Sequence, residues 1–290
     1  DLIGVDPFDE NLTVEMKSKV FLESTINIWY FLREVIKVPV PGGSVHFELH
    51  RGNLAMIFAL WLNLDTAVEL PRQHYKTYSA ACYYLWLLMY SARNYTMIFS
   101  HKSHQDTVAN LKRLTDMLVF ENGCLPDYML TPLNEKIDIW NTQTVTVKSN
   151  NNTIRTIGPA NSREGADKSG RGMTSPIIWL DEMAFIKFSN VMYGSMRPAF
   201  TTASDFAKQS GTPYSVLITT TPSSLDLEWG KFTYQLIQDA AKWDEVIYDW
   251  YFENGRDFVV DFVEANSGNN FMYIEYNYKQ LGKNDKWLKK

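Results

Sequence analysis

Two short stretches of this sequence carry side chains of the types that bind and cleave phosphate esters. The first, residues 70–77, reads Leu-Pro-Arg-Gln-His-Tyr-Lys-Thr; it follows an apolar run and precedes an apolar helical segment, residues 77–90. A strand, a tight loop, Lys-Thr and a helix form the layout of a phosphate-binding loop. In such a loop Lys76 would reach the β- and γ-phosphates of a nucleotide, and the Thr77 hydroxyl would bind Mg²⁺.

This loop departs from the usual G-x-x-x-x-G-K-[ST] pattern, because Leu70 and Tyr75 occupy the two glycine positions. Glycine is preferred there since it tolerates a positive φ and lets a phosphate approach the backbone. Taken alone, the loop is therefore as compatible with an ordinary loop before a helix as with a phosphate site.

The second stretch, residues 176–182, reads Pro-Ile-Ile-Trp-Leu-Asp-Glu. It predicts a buried strand that delivers two acids at its carboxyl end. Asp181 would hold Mg²⁺, and Glu182 would polarise the attacking water as a general base. An Asp-Glu pair that only caps the next helix is the alternative. The Lys-Thr loop earlier in the chain favours the catalytic interpretation.

A third stretch, residues 215–222, runs from apolar residues into Thr219, Thr220, Thr221 and a proline. If this strand lies beside the one that ends at Asp181, its hydroxyls lie near the γ-phosphate. They could then sense whether that phosphate is present. The alternative is an ordinary strand end rich in β-branched residues.

Composition limits the classes of protein to consider. The 290 residues carry 28 basic and 33 acidic side chains, so the net charge is −5, and 45% of them are hydrophobic. This length fits one large domain or two ordinary ones. The mild acidity argues against a protein whose whole surface binds nucleic acid. No apolar run reaches the about 20 residues that span a membrane. The chain lacks an initial Met and ends in a Lys-rich stretch, so we expect a piece of a longer protein.

Strand-like and helix-like patterns alternate from residue 66 to residue 241, which predicts an α/β sheet covered by helices on both faces. Residues 158–174 are polar and lack an apolar period. The predicted strands are residues 45–49, 66–70, 95–100, 144–148, 153–157, 177–180, 215–219, 245–247 and 258–262. The predicted helices are residues 13–38, 53–63, 77–90, 105–120, 191–200 and 229–241.

In this order the three stretches resemble the ATPase motor domain of the large terminase subunit of tailed bacteriophages. Residues 72–77 are similar to the modified Walker A of that family. Arg171-Gly172, followed after four residues by residues 177–182, is similar to its Walker B region, and residues 218–222 are similar to its coupling motif.

The resemblance implies an α/β P-loop NTPase of the additional-strand type, like RecA and helicases, with a mostly parallel central sheet. It also implies three parts: an N-terminal arm and helix in residues 1–45, an ATPase core in residues 46–244, and a small lid subdomain in residues 245–290. In the family a nuclease domain follows the lid, and we expect it to lie outside this chain.

The resemblance further assigns roles to individual residues. Arg72 would stabilise the γ-phosphate within one subunit, and Arg171 would act as a finger in a neighbouring subunit's site. A solvated loop arginine or a DNA-phosphate contact is the alternative for Arg171, because Arg155, Arg163 and Lys168 make its region basic. The implied nucleotide-binding residues are Asn53, Arg72, Gln73, His74, Tyr75, Lys76 and Thr77; the metal ligands are Thr77 and Asp181; the catalytic residues are Glu182, Arg72 and Arg171; and the coupling residues are Thr219, Thr220 and Thr221. Asn53 is equally compatible with a plain helix start.

The implied function is that of a Mg²⁺-dependent ATP hydrolase that translocates double-stranded DNA into a procapsid in the cytoplasm of an infected bacterium. The implied partners are the portal protein, the small terminase subunit and further copies in a ring, with a monomer in isolation and no membrane. Two alternatives remain: a superfamily-two helicase-like ATPase, and a nucleotide-binding assembly module without hydrolysis, which Tyr75 suggests.

Overall fold

The structure is a computed structural model, and it describes residues 2–71, 74–130, 139–171 and 174–285. The described strands are β1 (Lys37–Val40), β2 (Gly43–His46), β3 (Asp65–Glu69), β4 (Thr96–His101), β5 (Ile139–Trp140), β6 (Thr144–Val147), β7 (Asn152–Ile157), β8 (Ile177–Asp181), β9 (Ser215–Thr220), β10 (Ala241–Lys242) and β11 (Phe271–Glu275).

The helices alternate with the strands along most of the chain. They are α1 (Val14–Ile26), α2 (Ile28–Tyr30), α3 (Arg51–Trp61), α4 (Lys76–Trp86), α5 (His104–Asp116), α6 (Arg163–Arg171), α7 (Ser189–Ser210), α8 (Glu228–Gln238), α9 (Val246–Asn254) and α10 (Arg256–Asn266). Short π-helical turns, Phe31–Val35 and Leu87–Ser91, follow α2 and α4. None of the helices within the described residues combines the length and the apolar character that crossing a membrane requires.

Nine strands form one sheet in the order β10-β11-β3-β9-β8-β4-β7-β6-β5, and β1 pairs with β2 in a separate antiparallel hairpin. From β10 to β4 the successive neighbours are parallel, whereas β5 and β6 are antiparallel. Strand β9 therefore lies between β3, which precedes the Lys-Thr loop, and β8, which ends at Asp181. The predicted α/β fold class, with a mostly parallel central sheet, is confirmed.

Strands β8 and β9 are buried along their whole length, because helices of the same unit pack against them. Every residue of β8 and of β9 is buried, which explains their continuous apolar runs. The core beside them includes Ile178, Leu180, Val216, Ile218, Met196, Phe200, Leu236 and Ile237. In register, Asp181 pairs with Thr219 on one side and with His101 on the other. The carboxyl ends of β4, β8 and β9 therefore meet at one edge of the sheet.

The chain divides into two compact units that are interleaved along the sequence. The first comprises residues 1–49, 78–95 and 108–153, and the second comprises residues 50–77, 96–107 and 154–290. In the first unit the Trp86 indole donates to the Ser24 carbonyl at 2.8 Å, and both cysteines, Cys82 and Cys124, are buried free thiols. The second unit contains the strand ends and the Lys-Thr pair.

The single helix predicted for residues 13–38 is wrong, because Asn27 interrupts it. Helix α1 ends at Ile26, and the Asn27 side chain accepts hydrogen bonds from the backbone amides of Trp29 and Tyr30, which starts a new helical turn. The chain then leaves the helical region at Ile36 and enters β1. The capping Asn27 thus ends the helix, although the helical spacing of apolar residues continues past it.

The two strands predicted at residues 245–247 and 258–262 are also wrong, since both segments are helical. The buried apolar residues of α10, Val259 and Val263, are four positions apart, which is the spacing of a helix face. Gly255 separates α9 from α10 with a φ of 84°. The many aromatic and β-branched residues favoured a strand, but the spacing of the buried ones decided the structure.

Residues 245–290 also contribute a strand to the central sheet, which the sequence did not predict. Strand β11 pairs in parallel with β3 over its whole length, from Phe271 opposite Asp65 to Glu275 opposite Glu69. The range predicted to be a lid therefore supplies a direct neighbour of the strand that leads into the Lys-Thr loop.

The polar segment at residues 158–174 contains a helix, α6, where no periodic pattern was recognised. The buried residues of this helix are Ala166 and Gly170, which are small and four positions apart. An added Cβ at Gly170 would lie 1.9 Å from the Ser195 hydroxyl and 2.7 Å from the Met192 carbonyl of α7. Only glycine allows this close approach of α6 to α7, and a glycine carries no hydrophobic signal.

Candidate functional site

The predicted phosphate-binding lysine lies at the first position of α4. Its side chain is buried, with Lys76 8% exposed, and the ammonium donates a hydrogen bond to the Leu70 carbonyl at 2.7 Å. The lysine thus reaches back across its own loop to the residue that follows β3. A lysine at a helix N-terminus is an arrangement that suits a phosphate group.

Thr77 and Asp181, which the sequence predicted as partners around one metal ion, are in direct contact. The Thr77 hydroxyl donates to Oδ2 of Asp181 at 2.9 Å, although 104 positions separate the two residues. Asp181 is fully buried at the end of β8. The first and second motifs therefore form one site, because the loop after β3 and the end of β8 lie at the same edge of the sheet.

Thr219 holds the other oxygen of this carboxylate. Its hydroxyl donates to Oδ1 of Asp181 at 2.5 Å and accepts a hydrogen bond from the Trp179 indole at 3.2 Å. Trp179 also packs against Phe99 of β4, with ring centroids 4.4 Å apart. Two hydroxyls and a buried aromatic pair thus fix the position of Asp181.

Glu182, the predicted general base, is presented by an unusual backbone conformation. Its φ of 55° and ψ of 45° place it in the left-handed region, between the end of β8 and the turn Met183–Phe185. The Thr221 hydroxyl donates to Oε2 of Glu182 at 3.1 Å. Strained conformations of this kind occur preferentially at functional sites. The carboxylate of Glu182 is thus held by Thr221, the residue that follows β9.

The remaining coupling residue contacts the turn that follows the two acids. Thr220 accepts a long hydrogen bond from the Ala184 backbone amide at 3.4 Å and donates to the Thr221 carbonyl at 3.1 Å. The three predicted threonines thus contact Asp181, the turn after Glu182, and Glu182 itself. Strand β9 lies directly beside β8, which ends at Asp181. The prediction that these threonines are coupling residues depended on this proximity.

Tyr75 occupies the position where glycine was expected for conformational reasons. Its φ is 53°, so the backbone does adopt the left-handed conformation that favours glycine. The side chain is 59% exposed, which places the ring in solvent rather than in the core. Among the described non-glycine residues with positive φ, only Tyr75, Glu182 and Phe188 are not asparagines.

Of the other residues predicted to contact a nucleotide, two are described by the structure and two are not. Asn53 is buried near the start of α3, where its side-chain oxygen accepts from the His50 amide at 2.7 Å in a capping box. His74 is buried, and its ring meets that of His50 edge to face at 6.3 Å. Arg72 and Gln73 lie outside the described residues. A contact of Asn53 with adenine therefore stays a prediction, while its helix-start role is present.

Arg171 lies at the last position of α6, in the second unit, and its side chain is 72% exposed. It pairs with Asp167 of the same helix at 2.9 Å. Two other basic residues of the helix, Arg163 and Lys168, pair with Glu228 and Glu164. Each of these basic side chains thus has an acidic partner, and α6 presents no uncompensated basic stripe.

His101 is a residue of this site that the sequence analysis did not select. It is buried at the end of β4, and its Nε2 lies 3.7 Å from Oδ2 of Asp181. Burial lowers the pKa of His101, while the charges of Asp181 and Asp106 act in the opposite direction. The available signal was its place at a predicted strand end, which becomes informative only when β4 is known to neighbour β8.

The oxygen donors at the edge of the sheet fit Mg²⁺. Within the described residues, no three His, Cys, Asp or Glu side chains cluster as a site that could hold a metal ion. Thr77 and Asp181 supply a hydroxyl and a carboxylate. Mg²⁺ keeps several waters and is usually bound by one or two carboxylates together with substrate phosphates. These two residues would therefore hold the ion in company with a nucleotide.

Comparison with known proteins gave matches among solved structures only; no protein-family model and no curated protein matches the chain. The chain is similar to the large terminase ATPase domain of Thermus phage P74-26, with 14% identity, a TM-score of 0.49, and coverage of 83% of this chain and 86% of that one. The large terminase of bacteriophage HK97 gives 13% identity and a TM-score of 0.46, over 94% of this chain and 52% of that one. The large terminase of the thermophilic bacteriophage D6E in complex with ATP-gamma-S gives 10% identity and a TM-score of 0.45, over 83% and 48%. The chain thus spans about half the length of the HK97 and D6E proteins.

Proposed function

We propose that this chain is the ATPase motor domain of a viral DNA-packaging terminase. It would hydrolyse ATP to ADP and phosphate and use the energy to move double-stranded DNA into a procapsid. The observation that carries the proposal is the 2.9 Å hydrogen bond from Thr77 to Asp181, which joins a Lys-Thr loop to an Asp-Glu strand end. The order of the three motifs and their family-like sequences support it.

The residues at the sheet edge divide the chemical work. Lys76 supplies a positive charge for the β- and γ-phosphates, and Thr77 and Asp181 hold Mg²⁺ with them. When bound, Mg²⁺ neutralises phosphate charge that develops during the reaction. Glu182 accepts a proton from the attacking water as the general base. Its hydrogen bond from Thr221 keeps the carboxylate at the edge of the sheet.

The three threonines would couple the phosphate to movement. Thr219 and Thr221 contact the two acids, and Thr220 contacts the turn that follows them. A change at the γ-phosphate would therefore shift β9 and this turn together. In the proposed motor, that shift is the first step by which hydrolysis reaches the DNA.

The proposed machine requires partners beyond this chain. Arg72 would act within its own subunit, and Arg171 would act on the γ-phosphate bound to a neighbouring copy in a ring. The portal protein and the small terminase subunit would complete the assembly in the cytoplasm of the infected bacterium. An arginine that completes a neighbour's site raises turnover by about 10³–10⁵-fold, so we propose that the isolated chain is slow.

The test is ATP binding and turnover by Lys76→Ala, measured with and without double-stranded DNA. Loss of a charge-assisted contact to phosphate should weaken ATP binding by about 10–100-fold. Lys187→Ala is the matched control, because Lys187 is an exposed lysine that makes none of these contacts. We expect the control to bind ATP like the wild type.

Turnover that depends on Lys76 and rises with DNA supports the motor. Unchanged ATP affinity in Lys76→Ala would remove the assignment of the phosphate loop. ATP binding without any turnover, under all conditions including added DNA and portal, would favour the assembly module instead.

A further inference from the structure

His101 stands beside the proposed metal ligand because of the register of the sheet. It is the last residue of β4, and its Cα pairs with that of Asp181, the last residue of the neighbouring β8. Its Nε2 lies 3.7 Å from Oδ2 of the buried carboxylate. This distance is longer than a hydrogen bond, and at this range an N–H dipole is still attracted to a carboxylate.

A backbone hydrogen bond selects which nitrogen of His101 carries the proton. The Lys102 amide donates to Nδ1 at 2.8 Å, so Nδ1 must present its lone pair. A neutral imidazole whose Nδ1 accepts carries its proton on Nε2. The Nε2–H group therefore faces Asp181.

The nearby acid on the other side of the ring does not compete for this role. Oδ2 of Asp106 is 3.8 Å from Nδ1 of His101, and the same oxygen accepts a hydrogen bond from the Ser103 hydroxyl at 2.6 Å. Asp106 is thus held at the start of α5. Of the two carboxylates, only that of Asp181 faces the N–H group of His101.

Two hydroxyl donors and one imidazole consequently surround the carboxylate of Asp181. Thr219 donates to Oδ1, Thr77 donates to Oδ2, and the Nε2–H of His101 faces Oδ2 from β4. The two hydroxyls come from the elements that bind the phosphate and sense it. The imidazole comes from β4, which contains none of the three stretches selected at first from the sequence.

We propose that His101 is a positioning residue for Mg²⁺ binding, which keeps the Asp181 carboxylate turned so that its Oδ2 and the Thr77 hydroxyl face one ion. The inference rests on the proposed function, because it concerns the same site. Removal of such an outer partner typically lowers metal affinity by about 10–100-fold. The chemistry at the phosphate itself does not involve the imidazole.

The experiment measures ADP affinity by calorimetry, once with Mg²⁺ and once with EDTA. In His101→Phe the Mg²⁺-dependent gain in affinity should fall by about 10-fold or more, while the affinity in EDTA stays at the wild-type level. His101→Gln should recover most of the gain, since its amide can place an N–H near the position of Nε2. His104→Phe is the matched control, because His104 is exposed at the start of α5.

An undiminished Mg²⁺ gain in His101→Phe would overturn the inference. So would a tautomer carrying the proton on Nδ1, observed by ¹⁵N NMR of the wild-type protein without nucleotide. The NMR measurement keeps the inference testable when His101→Phe fails to fold. A wild-type protein that binds no ADP would instead overturn the proposed function, so the two failures are distinguishable.

Discussion

Asp181 and Arg171, both selected from the sequence as functional residues, are held in opposite ways. Asp181 is 0% exposed at the end of a buried strand, and hydroxyls from two other elements donate to it. The Arg171 side chain is 72% exposed at the end of a helix, and it pairs with Asp167 one turn earlier. The sheet fixes the carboxylate, whereas only the helix fixes the guanidinium.

Asp181 is thus in place within one subunit, whereas Arg171 would have to move to take the role proposed for it. An exposed pair between residues four positions apart contributes only about 0.3–0.5 kcal/mol. Arg171 can therefore leave Asp167 for a phosphate on another copy at little cost. Asp181 cannot move without breaking hydrogen bonds at a buried site.

The largest expected effect tests this comparison by turnover. Glu182→Gln should lower ATP turnover of the isolated chain by about 10²–10⁴-fold, because it removes the base for the water. Arg171→Ala should leave that turnover at the wild-type level, since the exposed guanidinium pairs with Asp167 of its own helix. Steady-state release of phosphate measures both.

Arg163→Ala serves as the control for Arg171→Ala, because Arg163 is another exposed and paired arginine of the same helix. If Arg171→Ala alone reduces turnover in a dilute monomer, Arg171 acts within its own subunit and does not need a neighbouring copy.

A second prediction concerns the cost of disturbing the buried carboxylate. Thr219→Val removes the hydroxyl that donates to Asp181 and accepts from Trp179. Loss of two buried hydrogen bonds, one of them to a charged group, should lower the free energy of unfolding by about 3 kcal/mol. Thr219→Ser keeps the hydroxyl and should recover most of that loss. Denaturant unfolding measures both, and equal stability of the two variants would contradict this account.

A third prediction addresses how firmly α6 is attached beneath Arg171. Gly170→Ala would place a methyl group against Ser195 and Met192, so α6 must shift, and we expect a loss of about 1–3 kcal/mol of stability. Gly165→Ala makes the same change in the same helix. Its added methyl would meet nothing closer than the Ser162 hydroxyl at 3.2 Å. We expect this control to be neutral or slightly stabilising in thermal unfolding.

If both alanine variants unfold alike, the close approach of α6 to α7 does not hold the helix. The packing of α6 would then not fix the guanidinium of Arg171 either.

The smallest expected effect concerns Tyr75, whose left-handed backbone resembles that of Glu182. Tyr75→Gly should be more stable than Tyr75→Ala by about 1 kcal/mol, because only glycine adopts this conformation without strain. Both variants lack the ring, so their difference isolates the backbone contribution. Chemical denaturation of the two variants measures the difference. A Tyr75→Ala variant as stable as Tyr75→Gly would show that the conformation carries no strain.

The sequence predicted those parts of the molecule that follow from strand order. The apolar runs that end in Asp-Glu and in Thr-Thr-Thr can each be recognised as buried strands from their local sequence. A parallel sheet then brings the ends of these strands to one edge. This is why the contacts of Thr77, Asp181 and Thr219 agree with the sequence analysis. The fold class was predictable for the same reason.

The sequence could not predict features that depend on a neighbour far along the chain. His101 became part of the site only through the register of β4 with β8. Helix α6 buries Ala166 and Gly170, so it has no apolar stripe to recognise. In residues 245–266 the aromatic composition led to a prediction of strands. The three- and four-residue spacing of the apolar residues, which is the pattern of the helices α9 and α10, was given less weight.

The pairing of β11 with β3 has a consequence for the order in which a ribosome builds this protein. Residues 65–69 are synthesised long before their partner on one side, Phe271–Glu275. Until then the strand leading to the Lys-Thr loop has an open hydrogen-bonding edge, which is prone to pair with other chains. The nascent protein therefore depends on a distant segment to close this edge, and synthesis interrupted between the two strands would leave an aggregation-prone intermediate.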